Sequence, residues 1–187
     1  MLNILIVGVG GQGSLLASRI LGSLFTAMNL EVKLSEVHGM AQRGGSVVTY
    51  VRAGETVASP LISKGEADVI ISFEQSEAMR YLPWLKKDGT VIVNTQKIMP
   101  MPVLTGAVKY PENLVEKMQE LGVNVIAMDA LSVALEAGNA KCANVALLGA
   151  ASRFIGGTQE EWGNAMRACI KPALLDLNLK AFELGRK

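Results

Sequence analysis

The sequence predicts one α/β domain over residues 1–187: a three-layer, mostly parallel open sheet of Rossmann-like type, with an antiparallel hairpin and a helical C-terminus. Three observations lead there. Short, nearly continuous apolar runs alternate with stretches of helical spacing, as parallel strands buried on both faces require. The first run opens directly into a glycine-rich turn that precedes a helical pattern. From Asp129 onward the pattern is helical alone.

The elements follow in order. Leu2–Val7 is the first buried strand, and Ser14–Met28 carries Leu15, Leu16, Ile20, Leu21, Leu24 and Phe25 at helical spacing. Glu31–Val37 is the second strand. Ser46–Arg52 is rich in Val, Thr and Tyr; with a turn at Ala53-Gly54-Glu55 and a return at Thr56–Ala58 it forms the expected hairpin. Asp68–Phe73 is a buried strand and Glu74–Leu85 a helix. Lys87-Asp88-Gly89 turns the chain into the strand Thr90–Asn94.

Ile98–Val103 is an apolar loop punctuated by Pro100 and Pro102. A helix near Glu112–Leu121 closes at Gly122, and a strand follows over Val123–Met128. Asp129 suits the N-cap of the next helix. Thr158-Gln159-Glu160-Glu161 fits a capping box, followed by a stripe of Trp162, Met166, Cys169 and Ile170. Pro172 ends or kinks that helix, and Ala173–Leu184 continues. No repeat or flexible linker interrupts the chain.

Composition narrows the function classes. Half the residues are hydrophobic, 19% are charged, and the formal net charge is +1. That balance gives no global attraction toward nucleic acid or an anionic membrane. No apolar run approaches the roughly 18 residues of a membrane span. The N-terminus lacks a basic n-region, so the expectation is a cytoplasmic protein without a signal peptide. Cys142 and Cys169 have no CxxC spacing and no neighbouring histidine, so neither a disulfide framework nor a metal or iron–sulfur site is expected from this chain.

Gly8-Val9-Gly10-Gly11-Gln12-Gly13 matches G-x-G-x-x-G between a strand and a helix. There the glycines permit a tight turn and close approach of a ligand, and the helix N-terminus presents free N–H groups to a phosphate. The competing reading is that the glycines only let helix and strand pack closely. A dinucleotide site also needs a carboxylate at the end of the second strand, roughly 20 residues further on. Glu36 stands about there, so a self-sufficient NAD(P)-binding dehydrogenase is an alternative. His38, however, follows Glu36 on the adenosine side, away from where hydride-transfer chemistry would need a base.

The segment His38-Gly39-Met40-Ala41-Gln42-Arg43-Gly44-Gly45 concentrates donors and backbone freedom. Arg43 offers a forked set of donors for carboxylate or phosphate. Gly44 and Gly45 can aim successive N–H groups as an anion-binding nest. Gln42 adds a neutral donor and acceptor, and His38 can titrate near neutral pH. The segment leaves the same carboxyl edge of the sheet as the glycine turn, where open α/β sheets bind ligands. Gly8, Gly10, Gly11, Gln12 and Gly13 together with His38, Gln42, Arg43, Gly44 and Gly45 are therefore the candidate cofactor-binding residues. Structural capping by His38 and Arg43, or a docking surface without enzymatic context, are the other readings. No G-x-S-x-G, H-E-x-x-H or Walker A motif occurs, so no residue of this chain is a catalytic candidate.

Ile4–Gly22 (ILIVGVGGQGSLLASRILG) and Ser35–Gly54 (SEVHGMAQRGGSVVTYVRAG) resemble the gamma-type subunits of the 2-oxoacid:ferredoxin oxidoreductases. Within that family the chain is most similar to the small (beta) subunit of indolepyruvate:ferredoxin oxidoreductase. The likeness covers nearly the whole chain, including Asp68–Arg80, and the His-Gly-Met-Ala-Gln-Arg-Gly-Gly run is its specific part. The resemblance implies oxidative decarboxylation of an aryl 2-oxoacid to an acyl-coenzyme A by a complex that is inactive without its partner chain. Thiamine diphosphate, Mg and the iron–sulfur clusters are expected on that larger partner, with ferredoxin as the electron acceptor. This chain would complete the active-site wall. Coenzyme A, with its pyrophosphate and ribose phosphate, matches the anion-receptive loops Gly8–Gly13 and Arg43–Gly45.

Overall fold

Why the two donor-rich segments meet follows from how the strands pair. In the computed structural model, which describes residues 1–39 and 44–187, β1 (Leu2–Val9) lies inside a six-stranded sheet. The chain continues through α1 (Ser14–Ala27), β2 (Glu31–His38), β3 (Ser46–Gly54), β4 (Ala67–Ser72), α2 (Gln75–Tyr81) and β5 (Leu85–Asn94). Then come α3 (Met101–Leu104), α4 (Leu114–Glu120), β6 (Asn124–Met128), α5 (Ala130–Ala137), α6 (Ala143–Ile155), α7 (Gln159–Cys169) and α8 (Pro172–Arg186). The strand order is β2-β3-β1-β4-β5-β6. β1, β4, β5 and β6 pair in parallel, while β3 is antiparallel to both of its neighbours, β2 and β1.

The α/β class and the antiparallel element agree with the expectation, but the hairpin has a different partner. Ser46–Gly54 pairs with Glu31–His38, not with Thr56–Ala58, which is no strand. The Glu31 carboxylate accepts the Val57 N–H at 2.8 Å, and the Arg52 guanidinium donates to the carbonyls of Ser59 (3.3 Å) and Leu61 (2.8 Å). These bonds hold the segment after β3 as a side-chain-pinned loop, with Val57 buried in it. β3 is thereby free to fill the interior position between β2 and β1.

Period-two alternation divides each central strand between two faces. Ile4 and Ile6 of β1, with Val51, Ile71 and Ile92, pack toward α1, α6, α7 and α8. Leu5 and Val7, with Val48, Ile70, Val91 and Val93, face Ala78 of α2 and Met118 of α4. The result is the expected three layers.

The helical C-terminus is fixed by one close crossing. A Cβ on Gly149 would lie 2.1 Å from the Phe182 carbonyl oxygen, and one on Gly185 would lie 1.9 Å from that of Ala146. Only glycine lets α6 and α8 approach so nearly. Trp162 is fully buried beside Phe182 and donates to the Gly156 carbonyl at 2.8 Å. The Thr158–Glu161 capping box is present, Asp129 caps α5, and Pro172 opens α8 as its first-turn proline. Three local expectations shift: Lys87-Asp88-Gly89 lies within β5, which starts at Leu85, instead of forming a turn before Thr90. The helix after Glu74 ends at Tyr81 and tightens into a 3-10 turn through Pro83, and Met101–Leu104 makes a single helical turn.

Candidate functional site

β1 and β2 point the same way, so both end at one edge of the sheet, and β3 begins there. Its register sets Ser46 opposite Val9. The two loops must therefore touch, and they do: the Gly10 N–H donates to the Gly45 carbonyl at 2.9 Å, and the Gly44 N–H to the Gly10 carbonyl at 3.4 Å. Gln42 and Arg43 lie outside the described residues, so of the expected set the structure brings together Gly8–Gly13, His38, Gly44 and Gly45.

The glycines of the turn do different jobs. A Cβ on Gly8 would meet Gln12 Oε1 at 2.7 Å and Phe73 Cβ at 3.1 Å, and one on Gly13 would meet Asn144 Nδ2 at 2.5 Å. Those two positions serve packing. Gly11 differs: its φ is +101°, and no heavy atom lies within 4 Å of where its Cβ would be. There the chain needs a left-handed residue and leaves open space above it.

Two cavities flank the turn. One, of about 380 Å³, lies between the turn, the first residues of α1 and the end of β2, and is lined by Gly10, Gly11, Ser14, Glu36, His38 and Val47. α1 has no side-chain cap, which leaves its first amides available. The Glu36 carboxylate sits beside them, with Oε2 accepting from Ser14 Oγ (3.2 Å) and Thr49 Oγ1 (2.9 Å). His38 is exposed at the strand end. This half of the site thus offers N–H groups, an imidazole and one carboxylate. The other cavity, of about 480 Å³, lies on the far side of the turn.

Behind the turn, Glu74 is fully buried, a position that no local motif marks. Its Oε2 accepts from the amides of Ser76 (2.7 Å) and Glu77 (3.1 Å), and its Oε1 from the Ile98 N–H (3.3 Å) and the Tyr110 hydroxyl. The carboxylate caps α2 and ties the loop after β5 to the sheet. Burial, and then donation to the Glu74 carboxylate, push the Tyr110 phenol well above its ordinary value. Cys142 and Cys169, distant in sequence, line one small pocket; burial raises both thiols. Among the described residues no group of three or more His, Cys, Asp or Glu is placed to hold a metal ion. No helix among the described residues is long and apolar enough to cross a membrane.

A glycine turn and a neighbouring loop, hydrogen-bonded at the carboxyl edge of an open α/β sheet, define a Rossmann-like α/β domain. The family model described as pyruvate ferredoxin/flavodoxin oxidoreductase matches residues 3–187, and the chain belongs to that family. The indolepyruvate oxidoreductase subunit IorB of Thermococcus kodakarensis is 43% identical over 192 residues, covering 99% of this chain and 94% of that one. Its counterpart from Archaeoglobus fulgidus is 42% identical over 191 residues, covering 98% and 93%. The crystal structure of pyruvate oxidoreductase subunit PORC from Thermotoga maritima superposes with a TM-score of 0.74 at 23% identity, covering 99% of this chain and 94% of that one. The self-sufficient dehydrogenase alternative loses ground on geometry as well. β3 stands between β1 and β2, and Glu36 is engaged by two protein hydroxyls.

Proposed function

We propose that this chain is the small subunit of a 2-oxoacid:ferredoxin oxidoreductase complex acting on indolepyruvate or related aryl pyruvates, and that it helps to bind coenzyme A. The observation that carries the reading is likeness over 99% of the chain to IorB subunits, combined with the joining of the glycine turn to the His38–Gly45 segment. A larger partner chain would hold thiamine diphosphate, Mg and the iron–sulfur clusters that pass electrons to ferredoxin. Thiamine would supply the decarboxylation chemistry there.

This chain's own residues would bind and orient. The Gly11 turn and the first amides of α1 offer backbone donors to a phosphate, while the Gly44 N–H donates to the Gly10 carbonyl and joins the second loop to the turn. Arg43 would add a charged fork, Gln42 a neutral donor, and His38 a proton donor at the rim. Gln12 holds the turn in shape by accepting the Val9 N–H at 2.8 Å.

Co-expression with the chain encoded alongside it tests the assembly. The expected result is copurification with a much larger cysteine-rich chain, with oxoacid oxidation by the pair and none by this chain alone. A stable homodimer that recruits no such chain would contradict the proposal.

A further inference from the structure

The cavity on the far side of the glycine turn from His38 lies at the carboxyl ends of β1, β4 and β5 and measures about 480 Å³. Gln12, Asn94, Gln96, Lys141, Phe73 and Leu131 are among its lining residues. The hydrogen-bond network orients the amides of Gln12, Asn94 and Gln96. The Val9 N–H donates to Gln12 Oε1, so Gln12 must turn its NH2 the other way, toward the Phe73 carbonyl (2.9 Å) and Gln96 Oε1 (3.3 Å). The Ala130 N–H donates to Asn94 Oδ1 at 3.1 Å, so Asn94 likewise presents its NH2, to the Phe73 carbonyl (3.3 Å) and Gln96 Oε1 (3.4 Å).

Two donors converging on Gln96 fix its oxygen toward them. Its own NH2 faces away, and no acceptor meets it among the described residues. The Lys141 ammonium makes no ion pair among the described residues either, although its backbone N–H is held by Asn139. No lining residue is acidic, in contrast to the Glu36 side of the turn. Gln96 and Lys141 are both exposed at the cavity's rim, and an oriented amide donor beside a lysine without an ion pair among the described residues suits an oxyanion. Phe73 and Leu131 supply an apolar wall, and the volume is in the range of small-molecule sites.

We infer that this cavity binds a small molecule carrying a phosphate or carboxylate on a planar or apolar body. Lys141 and the Gln96 amide receive the oxyanion, and Phe73 and Leu131 cover the body. The site shares only the turn with the coenzyme A reading; Gln96 and Lys141 take no part in that reading, so failure of one leaves the other standing.

The test is a titration of the full 15N-labelled chain at low ionic strength, with ADP as the phosphate probe and phenylpyruvate as the carboxylate probe, read at the Gln96 side-chain amide. Saturable shifts with at least one probe are expected. Lys141→Gln or Gln96→Ala should weaken binding roughly tenfold, as loss of a charge-assisted or fixed hydrogen bond would. Lys64→Gln, on the segment before β4 at the opposite edge, should change it by less than about twofold. A response to ADP alone assigns a phosphate ligand, and one to phenylpyruvate alone a carboxylate. No saturable shift from either at millimolar concentration overturns the inference. So do shifts confined to Gly44 and Gly45, or binding indifferent to both cavity variants.

Discussion

Gly10 and Gly45 are joined by a backbone hydrogen bond of 2.9 Å, across 35 residues of chain that contain one helix and one strand. The bond exists because β3 returns antiparallel beside β1 and begins where β1 ends.

Gln12 is the internal brace of that junction. Its Oε1 takes the Val9 N–H and its Nε2 reaches the Phe73 carbonyl. Gln12→Ala leaves the Val9 N–H without its acceptor and the Phe73 carbonyl with Asn94 alone, at a cost of about 1–3 kcal/mol. Urea unfolding of the isolated chain should show a lowered midpoint with an unchanged slope.

Gly185→Ala tests the helical layer. The added methyl would sit 1.9 Å from the Ala146 carbonyl oxygen, against backbone that cannot step aside without separating α6 from α8. The expected loss is about 3 kcal/mol or more. Thermal melts should show a much lower Tm, while Gly106→Ala, whose new methyl meets nothing within 4 Å, should suffer only the strain of its φ of +76°.

Acid should weaken α5 through Asp129. Donation from the Ser132 hydroxyl, and then from the Ser132 amide, hold this carboxyl below its ordinary value of 3.8. A depressed folded-state value stabilises above the unfolded value and loses that contribution as pH falls through the folded one. The Tm gap between wild type and Asp129→Ala should be present at neutral pH. It should shrink once the pH drops below 3.8, toward the lowered folded-state value. A gap that is constant with pH would mean that the cap acts without its charge.

Local patterns made most elements legible. The apolar run of β1, the stripe of α1 and the Thr158–Glu161 box each carry their signal within a few residues. Pairing is different in kind. The apolar pattern of Ser46–Gly54 does not say that its neighbours are Glu31–His38 and Leu2–Val9 rather than Thr56–Ala58; the bonds from Glu31 and Arg52 that hold the following segment as a loop are visible only in the fold. The same holds for the site. The glycine turn was visible, yet the reason for Gly13 is Asn144, 131 residues away. Gln96 and Lys141 belong to no motif, and only the tertiary fold sets the end of β5 and the turn before α6 on one cavity.

The central claim is that the loop joined to the glycine turn holds coenzyme A for an oxoacid-oxidising complex. Its most direct test is the KM for coenzyme A of the reconstituted complex carrying Arg43→Ala. The account expects intact assembly with a KM raised roughly tenfold or more, the loss of one charge-assisted phosphate contact. Unchanged coenzyme A kinetics in a fully assembled complex would contradict it.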